Sequence, residues 1–365
     1  MQIHKASSQR QWDDFLKAQR FSPFLQSWTM GDVYADIGQT PIRLEIRESD
    51  ELLGVCLAVV VPARRGRHLT VHYGPVLKDG VASPVLSLEL LMDALRDAAI
   101  EHNCTFLRLS PFWPISQSHA ADLHAVRSPL HLLAEHVWYV PLTQTDRWSE
   151  TQDASLAPQA RTEEEIFMSL RKTTRNLIRR AEKEGVTIEL SQDPLKDIEE
   201  FIRLHDETRK RHGFTPYTNS YFRSQVKHFA PTGNALLYLA RYQGQVISAS
   251  IHMQFGGETS YHHGASTHAF SKIPSSYLLQ WRAIQDALKR GDHVYNLWGI
   301  APMRTAEDGK DIIDNPKHPF AGVTLFKTGF GGKLLNLEHC FDIPISKTYY
   351  LTRAFEQVRK WKRGF

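Results

Sequence analysis

The chain has 365 residues, of which 42% are apolar and 23% charged, with a formal net charge of +4. This balance belongs to a folded chain of about two domains and excludes a collagenous, coiled-coil or disordered polymer. A surplus of +4 is too small to make the whole molecule a polyanion binder, so any phosphate site must come from local clustering.

In chain order, apolar periodicity predicts short helices over 8–18 and 29–37, around Phe24-Leu-Gln-Ser-Trp28. Strands are expected over 42–46, 52–61 and 69–73, the last ending in the turn Tyr73-Gly-Pro-Val76. A helix near 87–102 repeats Leu88, Leu91, Leu95 and Ala98 on one face, and strands at 106–109 and 136–141 close this half. Residues 143–161 are polar and aperiodic and are the expected linker. Thr162-Glu-Glu-Glu165 reads as a capping box opening one helix that runs to Gly185. A strand over 186–190, helices near 194–210 and 218–228, strands over 235–241, 245–255 and 258–264, a helix over 275–290 and a strand over 294–298 follow. A loop over 301–322 leads to a strand pair near 323–343 and a terminal amphipathic helix over 346–363. The expected class is α/β (α+β): two halves of similar length, each mixing helices with a largely antiparallel sheet, as in a duplicated domain.

The longest apolar run, 55–62, suits a buried strand and is too short to cross a bilayer. The first residues, Met1-Gln-Ile-His-Lys5, lack the apolar stretch of a signal peptide. Cys56, Cys104 and Cys340 are scattered and odd in number, which argues for a reducing compartment. A cytoplasmic protein is expected.

Familiar catalytic signatures are missing from the sequence. There is no Gly-x-Ser-x-Gly elbow, and Gly329-Phe-Gly-Gly-Lys333 fails the P-loop pattern, so it reads as a tight turn into a strand. No His, Cys, Asp and Glu set has zinc-site spacing, and no metal is expected. His262 and His263, adjacent on an alternating strand, should face opposite sides of the sheet, and His339-Cys340 should diverge in the same way. Arg171, Arg175 and Arg179 recur at i, i+4 and i+8 along one edge of the 162–185 helix. Such a row fits successive phosphates or, equally, a solvated face balanced by Glu182 and Glu184. Arg359-Lys-Trp-Lys-Arg363 is a second basic cluster, suited to RNA, an anionic lipid surface or neither.

Taken together and in order, several stretches resemble one family. Arg171-Lys-Thr-Thr-Arg175-Asn-Leu-Ile-Arg179-Arg-Ala-Glu-Lys-Glu-Gly-Val186 is similar to a helix-to-strand segment of the Fem (FemABX-type) non-ribosomal peptidyltransferases. Gln26-Ser-Trp28, Tyr73-Gly-Pro75, Tyr261-His-His-Gly264-Ala-Ser266, Asn296-Leu-Trp-Gly-Ile300 and Phe326-Lys-Thr-Gly-Phe-Gly-Gly332 fall where that family has comparable stretches. The resemblance spans nearly the whole chain and matches compact members without a helical arm.

It implies two tandem GNAT-like acyltransferase domains, 1–155 with 335–365 and 160–334. It also implies transfer of an aminoacyl group from aminoacyl-tRNA to the stem-peptide amine of a UDP-MurNAc-peptide or lipid-linked peptidoglycan precursor. No acetyl-CoA or other cofactor is expected, a monomer is expected, and peripheral contact with the membrane's inner face is compatible with the lipid-linked acceptor. The Phe326–Lys327 pair is placed at the acyl-transfer centre, Lys327 as the cation for the oxyanion and Phe326 against the terminal adenine. Arg171, Arg175 and Arg179 are the implied tRNA contacts. Tyr34, Tyr217, Tyr221, Tyr261 and Ser110 fall at acceptor-contact positions. Tyr34 and Tyr217 stand where the family has Lys and Arg, and Ser110 where an acidic residue is common, with Arg209 or Arg211 as replacement cations. Two alternatives stand beside this: a GNAT-type N-acyltransferase acting on another envelope or polysaccharide precursor, and a non-catalytic precursor-binding homologue. The segment Ala269–Ser276 lacks the glycines of a pyrophosphate loop, which disfavours CoA.

Overall fold

The computed structural model describes residues 1–63, 66–119, 123, 125–149, 159–212, 217–305 and 311–363. The chain divides into two compact units, Met1–Glu135 with Asn336–Phe365, and His136–Leu335. The first unit begins with β1 (Gln2–Lys5), α1 (Gln9–Ala18), α2 (Trp28–Asp36), β2 (Thr40–Glu48), β3 (Glu51–Val61), β4 (His68–His72) and β5 (Val76–Leu77). Helix α3 (Pro84–Glu101), β6 (Phe106–Ser110) and β7 (Val126–Arg127) follow. The second unit runs β8 (His136–Pro141), α4 (Glu163–Ser169), α5 (Lys172–Lys183), β9 (Thr187–Leu190), α6 (Pro194–His212) and α7 (Asn219–Phe229). It continues with β10 (Ala235–Tyr242), β11 (Gln245–Phe255), β12 (Glu258–Ser266), α8 (Ser275–Arg290) and β13 (Val294–Gly299). The paired strands β14 (Met303–Thr305) and β15 (Asp311–Ile313), then α9 (Ala321–Thr328) and β16 (Lys333–Asn336), precede β17 (Phe341–Pro344) and α10 (Tyr349–Arg363).

Each unit is built on a mixed, largely antiparallel sheet, as the sequence patterns lead one to expect. The first has the order β1-β2-β3-β4-β6-β17-β7 with β5 beside β3. Its parallel pair is β4 and β6, joined by the α3 crossover. Leu88, Leu91 and Leu95 of α3 are fully buried against this sheet, where Cys56, Ala58 and Val60 of β3 meet them in one cluster. The second sheet has the order β16-β8-β13-β12-β11-β10-β9. Its parallel pair, β12 and β13, is joined by α8, whose Leu279, Ala283, Ile284 and Ala287 pack on Tyr238, Tyr295 and Leu297.

Several local expectations change. The strand 136–141, expected to close the first half, pairs with β13 in the second sheet. Its apolar alternation predicts a strand but carries no information about which sheet takes it. The helix expected over 162–185 is two helices with a break at Leu170–Arg171. Its capping box is present, with Thr162 Oγ1 accepting from Glu165 N and the Glu165 carboxylate accepting from Thr162 N. Residues 321–328, expected within a strand pair, form α9, and the two strands that follow, β16 and β17, lie in different sheets. Within the expected linker, Thr143 bridges Ala160, and 150–158 lie outside the described residues.

A buried glutamine explains why two of the family-like stretches occur together. Along β3, residues Ala58–Val61 pair with β4, whereas Gly54 and Val55 pair with β5. Between these ladders the Gln26 amide replaces a strand: its Nε2 donates to Leu57 O at 3.1 Å and His72 O at 2.8 Å, and Leu57 N donates to its Oε1 at 2.8 Å. A Cβ on residue 74 would lie 2.4 Å from that amide, so Gly74 is required by close approach. Trp12 Nε1 donates to Gln26 O at 2.7 Å and ties α1 to the same point. Because each buried backbone group left unpaired costs about 1–3 kcal/mol, Gln26→Ala should lower stability by about 3 kcal/mol or more in chemical denaturation. Gln26→Met, which keeps the volume, should be as damaging; wild-type stability in that variant would show that packing, and not hydrogen bonding, is what residue 26 contributes.

Candidate active site

The site in the second unit begins with two parallel strands that part. β12 and β13 share only the register Glu258↔Val294 to Ser260↔Asn296, yet β12 continues to Ser266 and β13 to Gly299. Pairing between the two strands thus stops after Ser260↔Asn296, at the carboxyl end of the ladder, which is the end where open α/β sheets bind ligands. Glu258 fastens the last paired rung, accepting from Asn296 Nδ2 at 2.8 Å and from Ser260 Oγ at 2.5 Å. Burial pushes this carboxyl up to about 7 despite those hydrogen bonds. Asn296 Oδ1 then accepts from Trp298 N at 2.7 Å, and Trp298 takes a left-handed φ of 66°, a strained conformation for a bulky residue.

On β12 the register against β11 shifts between Ile251↔His263 and His252↔Tyr261, leaving His262 as the extra residue of a β-bulge. This overturns the expectation that His262 and His263 face opposite sides. Their rings lie 3.9 Å apart, because the bulge cancels one step of the alternation. Burial holds His262 down to about 3, and burial with the neighbouring His262 and His205 holds His263 well below its ordinary value, so both imidazoles are neutral at pH 7. His262 packs edge-on to Trp298 at 4.8 Å.

Lys327 enters from α9. It is 7% exposed, and its Nζ donates to Gly299 O at 2.6 Å, at the end of β13. The same Nζ lies 5.7 Å from the centre of the Tyr261 ring, within cation–π range. A Cβ on residue 264 would overlap the Tyr261 hydroxyl, so Gly264 makes room for that ring. Burial pulls the Lys327 ammonium down to about 7. The helix carrying it is fixed at its middle and at its carboxyl end: Ala301 N donates to Thr324 Oγ1 at 2.8 Å, and Arg171 Nη2 donates to Thr328 Oγ1 at 2.8 Å. The glycine-rich stretch after it is structural, with Gly331 O accepting from Trp138 Nε1 on β8 at 2.5 Å.

Other candidates gather around this centre to different degrees. Exposed Tyr217 stacks on buried Tyr221 at 4.6 Å, and Tyr217 meets the His263 ring at 5.2 Å. The two tyrosines thus reach the bulge through His263. Phe326 packs edge-on to Tyr277 at 4.9 Å and lines, with Leu177, Ser266 and Ser275, a hollow of about 490 Å³ at the start of α8. The arginine row is not a free edge. Arg171 is tied to α9, Arg175 Nη1 donates to Met168 O and Leu170 O at 2.7 Å and caps the end of α4, and Arg179 lies 5.2 Å over the Phe167 ring. Arg209 has Asp206 at 3.7 Å, and the side chain of Arg211 lies outside the described residues.

Tyr34 and Ser110 belong to the first unit. Both are buried around His72: Tyr34 stacks on its ring at 5.3 Å, and Ser110 is its partner in the β4–β6 ladder. Burial, with His68 nearby, lowers His72 to about 4. Also in this unit, Glu135, His339 and Cys340 bring potential metal-ligand atoms within 4.8 Å of one another. Each already has a protein partner: His339 meets Glu135 and Ser128 O at 2.9 Å, and Cys340 Sγ donates to Leu130 O at 3.0 Å. This cluster is therefore a satisfied structural junction.

Residues 168–308, which include the splayed strands, match the acetyltransferase (GNAT) domain family. FemA, an aminoacyltransferase of Staphylococcus aureus, is 32% identical over 105 residues, which are 29% of this chain and 22% of FemA. The crystal structure of FemX superposes with a TM-score of 0.76 at 17% identity, covering 98% of this chain and 100% of FemX. These findings support a Fem-like family. The chain also shares its fold with the C-terminal domain of a putative lysylphosphatidylglycerol synthetase from Agrobacterium fabrum, at TM-score 0.56 and 15% identity over 95% of each chain.

The depressed ammonium has a measurable signature. Lys327 loses its proton near pH 7 when folded and near 10.5 when unfolded, so between these values the unfolded chain holds more protons and stability rises with pH. Below about 7 the cost of burying the charge, on the order of 4 kcal/mol, is fully present. Lys327→Met should remove this rise and be the more stable protein at pH 6; equal pH dependence in the two proteins would mean that the ammonium is not buried.

Proposed function

We propose that this chain is an aminoacyltransferase that carries an aminoacyl group from aminoacyl-tRNA to an amine of a peptidoglycan precursor. One observation carries the reading: a buried ammonium, Lys327, anchored on Gly299 O beside the parted strands of a GNAT domain. The local match to FemA and the FemX-like fold support the same donor and acceptor classes. An aminoacyl ester is already activated, so the acceptor amine attacks its carbonyl directly and needs no enzyme nucleophile. The C–N bond forms as the carbonyl becomes an oxyanion; the ester C–O bond then breaks, and the proton lost by the amine ends on the ribose oxygen.

Lys327 supplies a donor for the oxyanion, and with a pKa near neutrality it also returns a proton to the departing oxygen. The bulge and the Tyr217–Tyr221 stack form a neutral aromatic wall for the acceptor. Phe326 and Tyr277 border the hollow suited to the nucleotide end of the donor, where base stacking is sequence-tolerant. Of the arginine row, Arg179 is the member left to meet phosphate, since Arg171 and Arg175 are engaged internally.

The direct assay offers purified protein labelled aminoacyl-tRNAs with UDP-linked or lipid-linked muropeptides. Label in a muropeptide is expected. Turnover with acyl-CoA alone would assign a GNAT-type N-acyltransferase, and muropeptide binding without transfer a precursor-binding homologue. Lys327→Met should lower kcat by about 10²–10³ with little change in substrate binding. In the wild type, kcat/KM should fall above about pH 7 as the ammonium is lost, a limb that Lys327→Arg should shift upward. Arg179→Glu should weaken tRNA binding and reduce its salt slope by about one phosphate contact; an unchanged slope removes the helix edge from the donor site.

A further inference from the structure

Helix α10 turns its apolar side away from the unit to which it belongs. Tyr350, Leu351, Val358 and Trp361 are 60, 75, 52 and 82% exposed. At 100° per residue they fall, with Ala354, within about 100° of arc. The opposite side holds Tyr349, Arg353 and Glu356, and polar bonds fix it inward. Arg108 on β6, itself buried, donates to both oxygens of Asp342 at 2.6 and 2.9 Å and of Glu356 at 3.1 and 2.7 Å. Tyr349 Oη donates to Asp342 at 2.9 Å, and Arg353 donates to Arg127 O at 2.8 Å. The helix is therefore docked by charge and displays its oily stripe.

Its charge is as uneven as its packing. Arg353, Arg359, Lys360, Lys362 and Arg363 against Glu356 give 5 − 1 = +4, and the whole chain is +4, so the rest of the molecule sums to zero. RNA would use the cations but not the outward Leu351 and Val358. A protein surface or second copy would use the stripe without requiring the concentration of positive charge. Both are used together by a helix lying in the headgroup region of an anionic bilayer. No helix among the described residues is long and apolar enough to cross a membrane, so contact of this kind would be in-plane.

We propose that α10 is an in-plane anchor for an anionic lipid surface. The proposal is independent of the reading of Lys327. The full chain should co-sediment with vesicles of phosphatidylcholine and phosphatidylglycerol at 7:3 in 0.1 M salt, bind pure phosphatidylcholine poorly, and be released by 0.5 M salt. Brominated acyl chains should quench a part of the tryptophan emission that Trp361→Phe removes. Leu351→Glu with Val358→Glu should reduce binding tenfold or more, and Arg359→Gln with Lys360→Gln about 25-fold, at about fivefold per cation. All four positions lie outside the Arg108 network, so an unchanged thermal transition should accompany each loss. The proposal is overturned by absence of binding to anionic vesicles, or by binding that survives Leu351→Glu with Val358→Glu. It is equally overturned if the face binds RNA in preference to vesicles, or if it drives a dimer that those variants abolish.

Discussion

Three residues of parallel ladder, Glu258–Ser260 against Val294–Asn296, decide where everything else at the candidate site stands. A longer overlap would tie up Gly299, whose carbonyl is the one that accepts from Lys327. The carboxyl that fastens the last rung is held near neutrality by burial, so the fold places an expensive polar group just where the strands must stop pairing. From that point the bulge at His262 and the left-handed Trp298 turn the two strand ends apart, and Gly299 is left with a carbonyl for the ammonium.

Much of this architecture is legible in the sequence because it follows from periodicity. The apolar run of β3, the Leu88–Leu95 face of α3, the Thr162–Glu165 box and the class of the two sheets all come from local pattern. The Lys327–Tyr261 proximity becomes readable only through family likeness, since nothing in the spacing of residues 66 apart joins them. Three features were hidden for physical reasons. A bulge is one residue out of step, and the alternation of β12 looks regular without its partner strand. The break at Leu170 is stabilised by Arg175 reaching back five and seven residues to two carbonyls, a capping use of a residue whose own propensity favours an unbroken helix. The sheet membership of β8 depends on long-range pairing alone.

The two family-like stretches of the first unit acquire a role that is structural before it is functional. Gln26 and Gly74 meet inside one interval of β3, so their co-occurrence reflects a single steric and hydrogen-bonding requirement. Tyr34 and Ser110 flank His72, whose carbonyl that glutamine also holds, so any ligand contact they make rests on the same support.

A side-chain amide offers one donor group and one acceptor, as a peptide unit does, and Gln26 uses that equivalence to act as a strand one residue long. Strand β3 can therefore change neighbours without either ladder being continuous with the other. The turn between β4 and β5 is only Tyr73-Gly74-Pro75, and its bare α-carbon lies against that amide, so the turn and the glutamine are constrained together and an added residue there would pull the turn off its support.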